Sequence, residues 1–381
     1  MKETAREASR GPIDMPFLLL TLLLTSVGLI MLFSASFPSA YYETKNHDPT
    51  YYFRHQLILA VIGVGLMIFF SRLNYERLRL FAVPLLFFSV VLLVLVLIPG
   101  IGTGLQTHGA QRWIRKIGPF PQFQPSEVAK FGVILFFADS ISKKKTRMAT
   151  LRYGVAPYVL VLGVIGALMM KEPHLSGTLL ILGIGAAMMF VGGIRWRYVL
   201  SVGGLGVLGV WGYLAGVFSY NQSRIAVWLD PLSEELKQGD AYQIRQSLLA
   251  IGSGGLLGVG LGKSRQKFLY LPEEHNDFIF AVICEELGLI GATLIMALFA
   301  ILIFRGYWIA LHARDRFGAL LAVGVTTQVL LQMALNIAVV TNLIPNTGIS
   351  LPFFSFGGTA LAIQLVEMGV VLSVSRQMPP T

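Results

Sequence analysis

Long apolar runs separated by short polar connections dominate the chain. Ten of these runs are long enough to cross the hydrocarbon core of a membrane, which takes about 20 apolar residues in a helix. They lie near 15–37, 53–71, 79–99, 126–142, 153–171, 175–193, 198–216, 278–304, 317–341 and 357–375. A spanning segment must satisfy its backbone hydrogen bonds internally. The pattern therefore predicts an all-α, polytopic integral membrane protein with about ten transmembrane helices.

Composition supports this prediction. Of 381 residues, 55% are hydrophobic and only 13% are charged, whereas soluble domains carry about 25% charged residues. We therefore expect one transmembrane domain over 1–381 and no separate soluble enzyme. The net charge of +10 comes mainly from basic residues at helix ends, where lipid headgroups rather than nucleic acid are the expected partner.

The basic residues also predict the orientation. If the N-terminus is cytoplasmic, the short inner connections hold 17 of the 30 Lys and Arg residues, as the positive-inside rule requires. Both termini are then expected in the cytoplasm, and a long loop near 217–276, between the seventh and eighth spans, is expected outside the cell.

Ionisable residues near the outer ends of two spans are candidates for chemistry, because burying a charge in lipid is costly. Ser126, at the start of one of these spans, can help satisfy the free amides of the helix end. Glu127 and Lys130 are three residues apart and share a helix face. They could form a local ion pair or part of a functional site. Asp277 stands where a polar loop meets an apolar helix. Spacing alone favours a helix cap at Asn276 or Asp277, and the alternative is a carboxylate held at the interface for a lipid-linked substrate.

Further polar or broken segments need partners inside the bundle. Glu285 and Glu286 lie deeper in the eighth run, so we expect one to face a polar interior and the other to bond loop or helix backbone. The glycine-rich stretch 252–262 predicts re-entrant or interfacial backbone shielded by protein. The Gly/Pro-broken stretches 172–178 and 345–359 are candidate walls of a cavity, or else tight turns between helices.

Three ordered blocks of residues resemble the SEDS family (shape, elongation, division and sporulation), of the FtsW, RodA and SpoVE type. The blocks are QSLLAIGSGG (246–255) with GVGLGKSRQK (258–267), LPE (271–273), DFIFAV (277–282) and EELG (285–288); PNTG (345–348) with LP (351–352) and SFGG (355–358); and RWI (112–114) with QPSE (124–127) and Lys130. The serine- and glycine-rich residues of these blocks are closer to the FtsW and SpoVE branch than to RodA. The chain departs from the family at His174 (usually Asp), Asn276 (usually Thr), Phe356 (usually Tyr) and Thr359-Ala360 (usually two Ser).

The resemblance implies a peptidoglycan glycosyltransferase of the bacterial cytoplasmic membrane. Such an enzyme polymerises lipid II, a disaccharide-pentapeptide on undecaprenyl pyrophosphate, into β-1,4 glycan strands at the outer membrane face. It usually works with a class B penicillin-binding protein, a transpeptidase, and with other proteins of division, elongation or sporulation. A lipid II flippase and a non-catalytic scaffold for the penicillin-binding protein are the alternatives, although no repeat typical of transporters is visible.

The implied chemistry assigns roles to particular residues. Asp277 is the candidate general base for the attacking sugar hydroxyl. Lys130 is the candidate catalytic cation for the leaving diphosphate, with Arg112, Arg265, Lys267 or a bound divalent ion as alternatives, and Glu127 would orient Lys130 or hold the metal. A divalent cation, Mg²⁺ or Mn²⁺, is expected at Asp277 and Glu127. The candidate substrate-binding residues are Arg112, Gln124, Ser126, Arg265, Lys267, His275 and Ser355.

Overall fold

A computed structural model describes residues 11–103, 112–115, 122–198, 204, 222–232 and 240–378. Its α-helices are α1 (Met15–Glu43), α2 (Tyr51–Arg72), α3 (Ala82–Val96), α4 (Pro125–Lys144), α5 (Ala156–Lys171), α6 (Leu175–Val191), α7 (Gln222–Leu229), α8 (Asp240–Gly254), α9 (Ile279–Leu311), α10 (Arg316–Val340) and α11 (Thr359–Ser375). Short 3-10 helices at Tyr75–Phe81 and Lys145–Ala149 and a π-helical turn at Leu151–Val155 precede α3 and α5. The strands β1 (Gly102–Thr103) and β2 (Trp113–Ile114) form an antiparallel pair, with Gly102 opposite Ile114.

The helices confirm the expected membrane protein. Within the described part of the chain, six helices are long and apolar enough to cross a membrane: Met15–Glu43, Tyr51–Arg72, Tyr75–Val96, Leu151–Lys171, Ile279–Leu311 and Arg316–Val340. The predicted runs at 126–142, 175–193 and 357–375 also form helices, namely α4, α6 and α11. The seventh predicted run, 198–216, lies almost entirely outside the described residues.

The helices pack into one bundle with an apolar core. α11 packs against α2, α9 lies between α8, α10 and α1, and α4 contacts α3, α6 and α10. The largest completely buried side chains include Phe137 on α4, Phe299 on α9 and Phe317 on α10. This arrangement puts α10 at the centre of the bundle, with α4, α6, α9 and α11 around it.

α9 is broken near its N-terminal end, and the glycine-rich stretch before it fills the break. Gly288 has φ 68° and ψ −172° inside the helix, a conformation that is almost restricted to glycine. The backbone groups on either side exchange four hydrogen bonds with the stretch: Val259 N–H to the Glu285 carbonyl (2.9 Å), Gly260 N–H to that of Glu286 (3.0 Å), Leu289 N–H to that of Gly255 (2.9 Å) and Ile290 N–H to that of Leu256 (3.1 Å). The backbone of this stretch is therefore paired within the protein, as its sequence predicts.

Substitution of Gly288 by Ala should destabilise the protein strongly. A Cβ there would lie 2.3 Å from the Gly258 nitrogen, and the backbone strain alone is worth about 1–3 kcal/mol. Gly252→Ala, at an exposed position of α8, is the matched control, because its Cβ would meet nothing within 4 Å and alanine favours the helix by about 0.5–1 kcal/mol. Thermal unfolding in detergent should show a lower Tm for Gly288→Ala only. An unchanged Tm for Gly288→Ala would contradict the packing described for α9.

Candidate functional site

A stripe of buried amide side chains on α10 organises one end of the bundle. Gln328, Gln332 and Asn336 are four residues apart and thus share a helix face, and none is more than 7% exposed. The Lys130 ammonium donates to Gln332 Oε1 (3.1 Å), and Asn336 Nδ2 donates to the Asp277 carbonyl (2.8 Å). Lys130 and Asp277 therefore contact residues of α10 that are one helical turn apart, about 6 Å along the helix axis.

Lys130 is buried as half of an ion pair. Its side chain is 4% exposed and its Nζ lies 2.8 Å from Glu127 Oε2. An ammonium without a partner at this depth would be very costly, so Glu127 and Gln332 together keep the charge in place. The local ion pair predicted from the i, i+3 spacing is therefore present.

A small polar cavity adjoins this pair. Its volume is ≈ 20 Å³, enough for about one water molecule. Glu127 on α4 and Ser355 from the connection between α10 and α11 both line it, so two predicted site residues share one cavity. Its other polar lining residues are Gln328, Gln332, Ser350 and Gln364.

Asp277 lies just before α9, whose N-cap is Phe278. Neither Asn276 nor Asp277 therefore occupies the cap position. The Asp277 carboxylate instead approaches the backbone of Gly348, which has φ +64°. A Cβ on Gly348 would lie 2.9 Å from Asp277 Oδ2 and 4.0 Å from Arg112 Nη1. Glycine at this position therefore leaves room for a carboxylate and a guanidinium beside the same backbone atom.

The two Gly/Pro-broken stretches meet at this point. Ser176 Oγ, in the first turn of α6, donates to the carbonyls of Thr347 and Gly348, the latter at 3.0 Å. Arg112, which immediately precedes β2, donates from Nη2 to the Pro173 carbonyl. The stretches 172–178 and 345–359 are therefore in direct contact, and Arg112 links them to the β pair.

Glu172 and His174 are site residues that the sequence analysis did not select for a role. Glu172 is 0% exposed, and neither of its carboxylate oxygens has a hydrogen-bond partner among the described residues. Burial raises the pKa of Glu172 to about 8, although the nearby Arg112 cation lowers it. Burial, together with the Arg112 and Lys130 cations, holds the pKa of His174 well below its usual value. The imidazole is therefore neutral at pH 7, and Glu172 is largely protonated.

The loop before α9 is tied to the connection between α10 and α11. Ser355 Oγ donates to the Asn276 carbonyl (2.6 Å), and Phe356 N–H donates to the His275 carbonyl (2.8 Å). Burial lowers the pKa of His275, but the Glu274 carboxylate at 3.5 Å, with Glu273 and Glu43, raises it overall. The predicted substrate-binding residues His275 and Ser355 thus flank Asp277 in space.

Lys267 and Arg265 lie in a different environment. Lys267 is 3% exposed and its Nζ contacts Glu286 Oε1 (2.9 Å) and Ser34 Oγ (3.1 Å). The Arg265 side chain is exposed, while its backbone N–H donates to Glu285 Oε1 (2.9 Å). Glu285 and Glu286 therefore hold the loop 264–267 against α9. As expected, one of them, Glu285, bonds loop backbone, while Glu286 bonds a buried side chain. A substrate contact by Lys267 or Arg265 stays a prediction.

The start of α4 differs from expectation in one respect. Ser126 was expected to help satisfy the free amides of this helix end, but its buried hydroxyl has no hydrogen-bond partner in the described part of the chain. The capping interpretation of Ser126 is therefore wrong. Gln124 lies before the helix, where its carbonyl accepts from Glu127 N–H (3.1 Å).

The expected divalent cation has no protein cage among the described residues, which contain no group of three or more His, Cys, Asp or Glu side chains suited to a metal. Mg²⁺ is often held by one or two carboxylates together with substrate phosphates, so Asp277 and Glu127 remain the predicted ligands.

Fold and site together define a helical membrane protein with a polar, charged site enclosed at one end of its bundle. The model of the FtsW, RodA and SpoVE family, described as cell cycle proteins, matches residues 15–379. The chain belongs to this family.

Named relatives and solved structures agree over nearly the whole chain. The probable peptidoglycan glycosyltransferase FtsW of Geobacter metallireducens is 40% identical over 97% of this chain and 96% of its own length. Stage V sporulation protein E of Bacillus subtilis is 42% identical over 95% and 97%. A chain from a peptidoglycan synthase complex that coordinates polymerization and crosslinking superposes with a TM-score of 0.77 at 26% identity, covering 96% and 98%. The Thermus thermophilus rod shape determining protein RodA gives 0.69 at 26% identity, covering 97% and 99%.

The Lys267–Glu286 pair should behave as a coupled structural unit. Glu286→Gln leaves the Lys267 ammonium buried without its carboxylate and should cost about 3–5 kcal/mol. Lys267→Met/Glu286→Leu removes both charges and should recover much of that loss, because an apolar pair needs no counter-charge. Thermal unfolding in detergent of the two matched single variants, Lys267→Met and Glu286→Leu, and of the double variant measures the coupling. If the two single losses simply add in the double variant, the pair is not the structural unit described here.

Proposed function

We propose that this chain is a peptidoglycan glycosyltransferase that polymerises lipid II into β-1,4 glycan strands at the outer face of the bacterial cytoplasmic membrane. The observation that carries the proposal is the placement of the Asp277 carboxylate beside Gly348 and Arg112, with Lys130 contacting α10 one turn away. A carboxylate base with cations in the same site is what glycosyl transfer from a diphosphate donor requires. The names of the relatives point to the same reaction.

The reaction is a single displacement. Asp277 takes the proton of the acceptor sugar hydroxyl as its oxygen bonds the anomeric carbon of the donor. The bond from that carbon to the diphosphate oxygen breaks, and the diphosphate leaves with the electron pair. Inversion converts an α-linked donor into a β-linkage in one step, so no covalent sugar intermediate is needed.

The cations act on the leaving group. Arg112 and Lys130 stabilise the charge that develops on the diphosphate, in a buried site where such interactions are stronger than in water. Glu127 is a positioning residue, since its carboxylate holds the Lys130 ammonium at 2.8 Å. Mg²⁺ or Mn²⁺ at Asp277 and Glu127 would supply further charge stabilisation to the diphosphate. Gln124, Ser126, Arg265, Lys267, His275 and Ser355 remain the proposed substrate contacts.

The proposal includes the number of spans, their orientation in the membrane and the partner proteins. The chain forms one transmembrane domain of about ten spans, with both termini in the cytoplasm and the loop near 217–276 outside. The basic residues of the inner connections support this orientation. A class B penicillin-binding protein is the proposed partner, supported by the likeness to a synthase complex that couples polymerization and crosslinking. Other proteins of division, elongation or sporulation would join the same assembly.

Asp277→Asn should abolish polymerisation while the protein stays folded in the membrane. Asn keeps the size and the backbone bond to Asn336, but it cannot accept the proton, so a loss of about 10²- to 10⁴-fold is expected. Gel analysis of glycan strands made from purified lipid II measures it. Glu273→Gln, in the same loop, is the matched control and should be milder. Near-normal strand synthesis by well-folded Asp277→Asn would exclude Asp277 as the base, whereas a lack of strand synthesis by the wild-type protein would favour a flippase or a scaffold.

Two exposed lysines test the orientation. In a Cys284→Ala background, Lys45→Cys should react with a membrane-impermeant thiol reagent in intact cells, and Lys143→Cys should react only after the cells are opened. Both positions are exposed, with 63% of the Lys143 side chain accessible, so burial cannot explain a difference. Labelling of Lys143→Cys in intact cells would overturn the topology.

A further inference from the structure

A continuous series of aromatic rings connects the site to the surface of the bundle. We call His55, Tyr51, Tyr52, His275 and Phe356 the aromatic track. Ring centroids are 4.4 Å apart for His55 and Tyr51, 5.3 Å for Tyr51 and Tyr52, 4.4 Å for Tyr52 and His275, and 4.9 Å for Tyr52 and Phe356. The rings of Tyr52 and His275 are stacked, with 29° between their planes.

One end of the track adjoins the proposed base. His275 is two residues before Asp277, and its carbonyl accepts from Phe356 N–H (2.8 Å). The other end opens at the start of α2, where Tyr51 is 38% exposed and His55 is exposed. The track therefore leads from the loop that carries Asp277 to the outside of the protein without leaving aromatic contact.

Two carboxylates lie beside these rings, and the Arg54 cation of the same helix turn is paired with Asp48 (3.2 Å). Tyr52 donates from its hydroxyl to Glu43, and the Glu274 carboxylate accepts from Ser39 and contacts His275 Nδ1 at 3.5 Å. Such a surface attracts phosphate less than the Arg112 and Lys130 side of the site does. Rings next to carboxylates suit a sugar, because its C–H faces are apolar and its hydroxyls donate to carboxylates.

We propose that the aromatic track is the surface on which the enzyme holds the glycan strand next to Asp277. The inference rests on the proposed function, which supplies a neutral sugar polymer at this point. Tyrosines also gather at membrane interfaces without any ligand, and the experiment separates the two roles. Holding the strand keeps it bound between successive additions, so the track governs strand length rather than the rate of the first bond.

Tyr51→Ala is the primary test, because this exposed ring can be removed with little loss of packing. With purified full-length protein and lipid II, we expect the mean strand length to fall at least twofold, while the initial rate of lipid II consumption changes less than twofold. Tyr51→Trp should restore length, since it restores a ring, and Tyr51→Leu should not. Tyr153→Ala, which removes another exposed tyrosine (43%) at the start of α5, is the matched control and should make strands of normal length.

A binding measurement separates failure of the track from failure of the proposed function. Uncrosslinked glycan strands, added to the protein in nanodiscs, should give saturation-transfer signals that weaken at least threefold in Tyr51→Ala/His55→Ala. Strand binding that falls in this variant supports the track even if the wild-type protein polymerises no lipid II. Equal strand lengths for wild type and Tyr51→Ala, rescue by Tyr51→Leu, or unchanged binding would each overturn the track and leave these residues as an interfacial belt.

Discussion

Backbone groups inside a membrane have no water to bond. The architecture around the site depends on the hydrogen bonds that satisfy the backbone where α9 is broken. α9 breaks at Gly288, and the backbone of 255–260 supplies the hydrogen bonds that the break would otherwise leave unmade. Glu285 and Glu286 then fix the next part of the chain, 264–267, against the same helix. The segment that precedes Asp277 is therefore bound to the first part of α9 by both backbone and side-chain hydrogen bonds.

The buried amides of α10 supply hydrogen bonds to polar groups of the neighbouring segments, as the glycine-rich stretch does for the backbone at the break in α9. Gln332 orients the Lys130 ammonium and also donates to Ser350, while Asn336 bonds the carbonyls of Asp277 and Ile349. Buried amides of this kind are costly unless satisfied. Their bonds join three separate segments around one helix, so the distance between the base and the cation is set by a rigid element rather than by loops.

Length and hydropathy were enough to predict the six described helices that could cross a membrane, because each helix meets its backbone requirement alone. The i, i+3 spacing likewise predicted the Glu127–Lys130 pair. The burial of Lys267 could not be read from the chain, since its partners Ser34 and Glu286 come from two other helices. Glu172 and the α10 amides were missed for the same reason, although the i, i+4, i+8 spacing of 328, 332 and 336 in an apolar run was a signal that could have found them. Ser126 has the residue type of a cap, but its hydroxyl does not bond the helix end.

The site separates charge according to the part of the substrate that each side would meet. Arg112 and Lys130 lie on the side of the turn 172–174, where Glu172 is largely protonated and His174 is neutral. The Arg112 guanidinium and the Glu127–Lys130 ion pair therefore set the charge of that side, where cations are what a diphosphate requires. The opposite side, around His275, carries Glu43 and Glu274 among aromatic rings. Asp277 lies between the cationic side and the aromatic side. A diphosphate bound by the cations and a sugar bound by the rings would therefore meet at its carboxylate. Binding in the reversed direction would place the diphosphate against carboxylates.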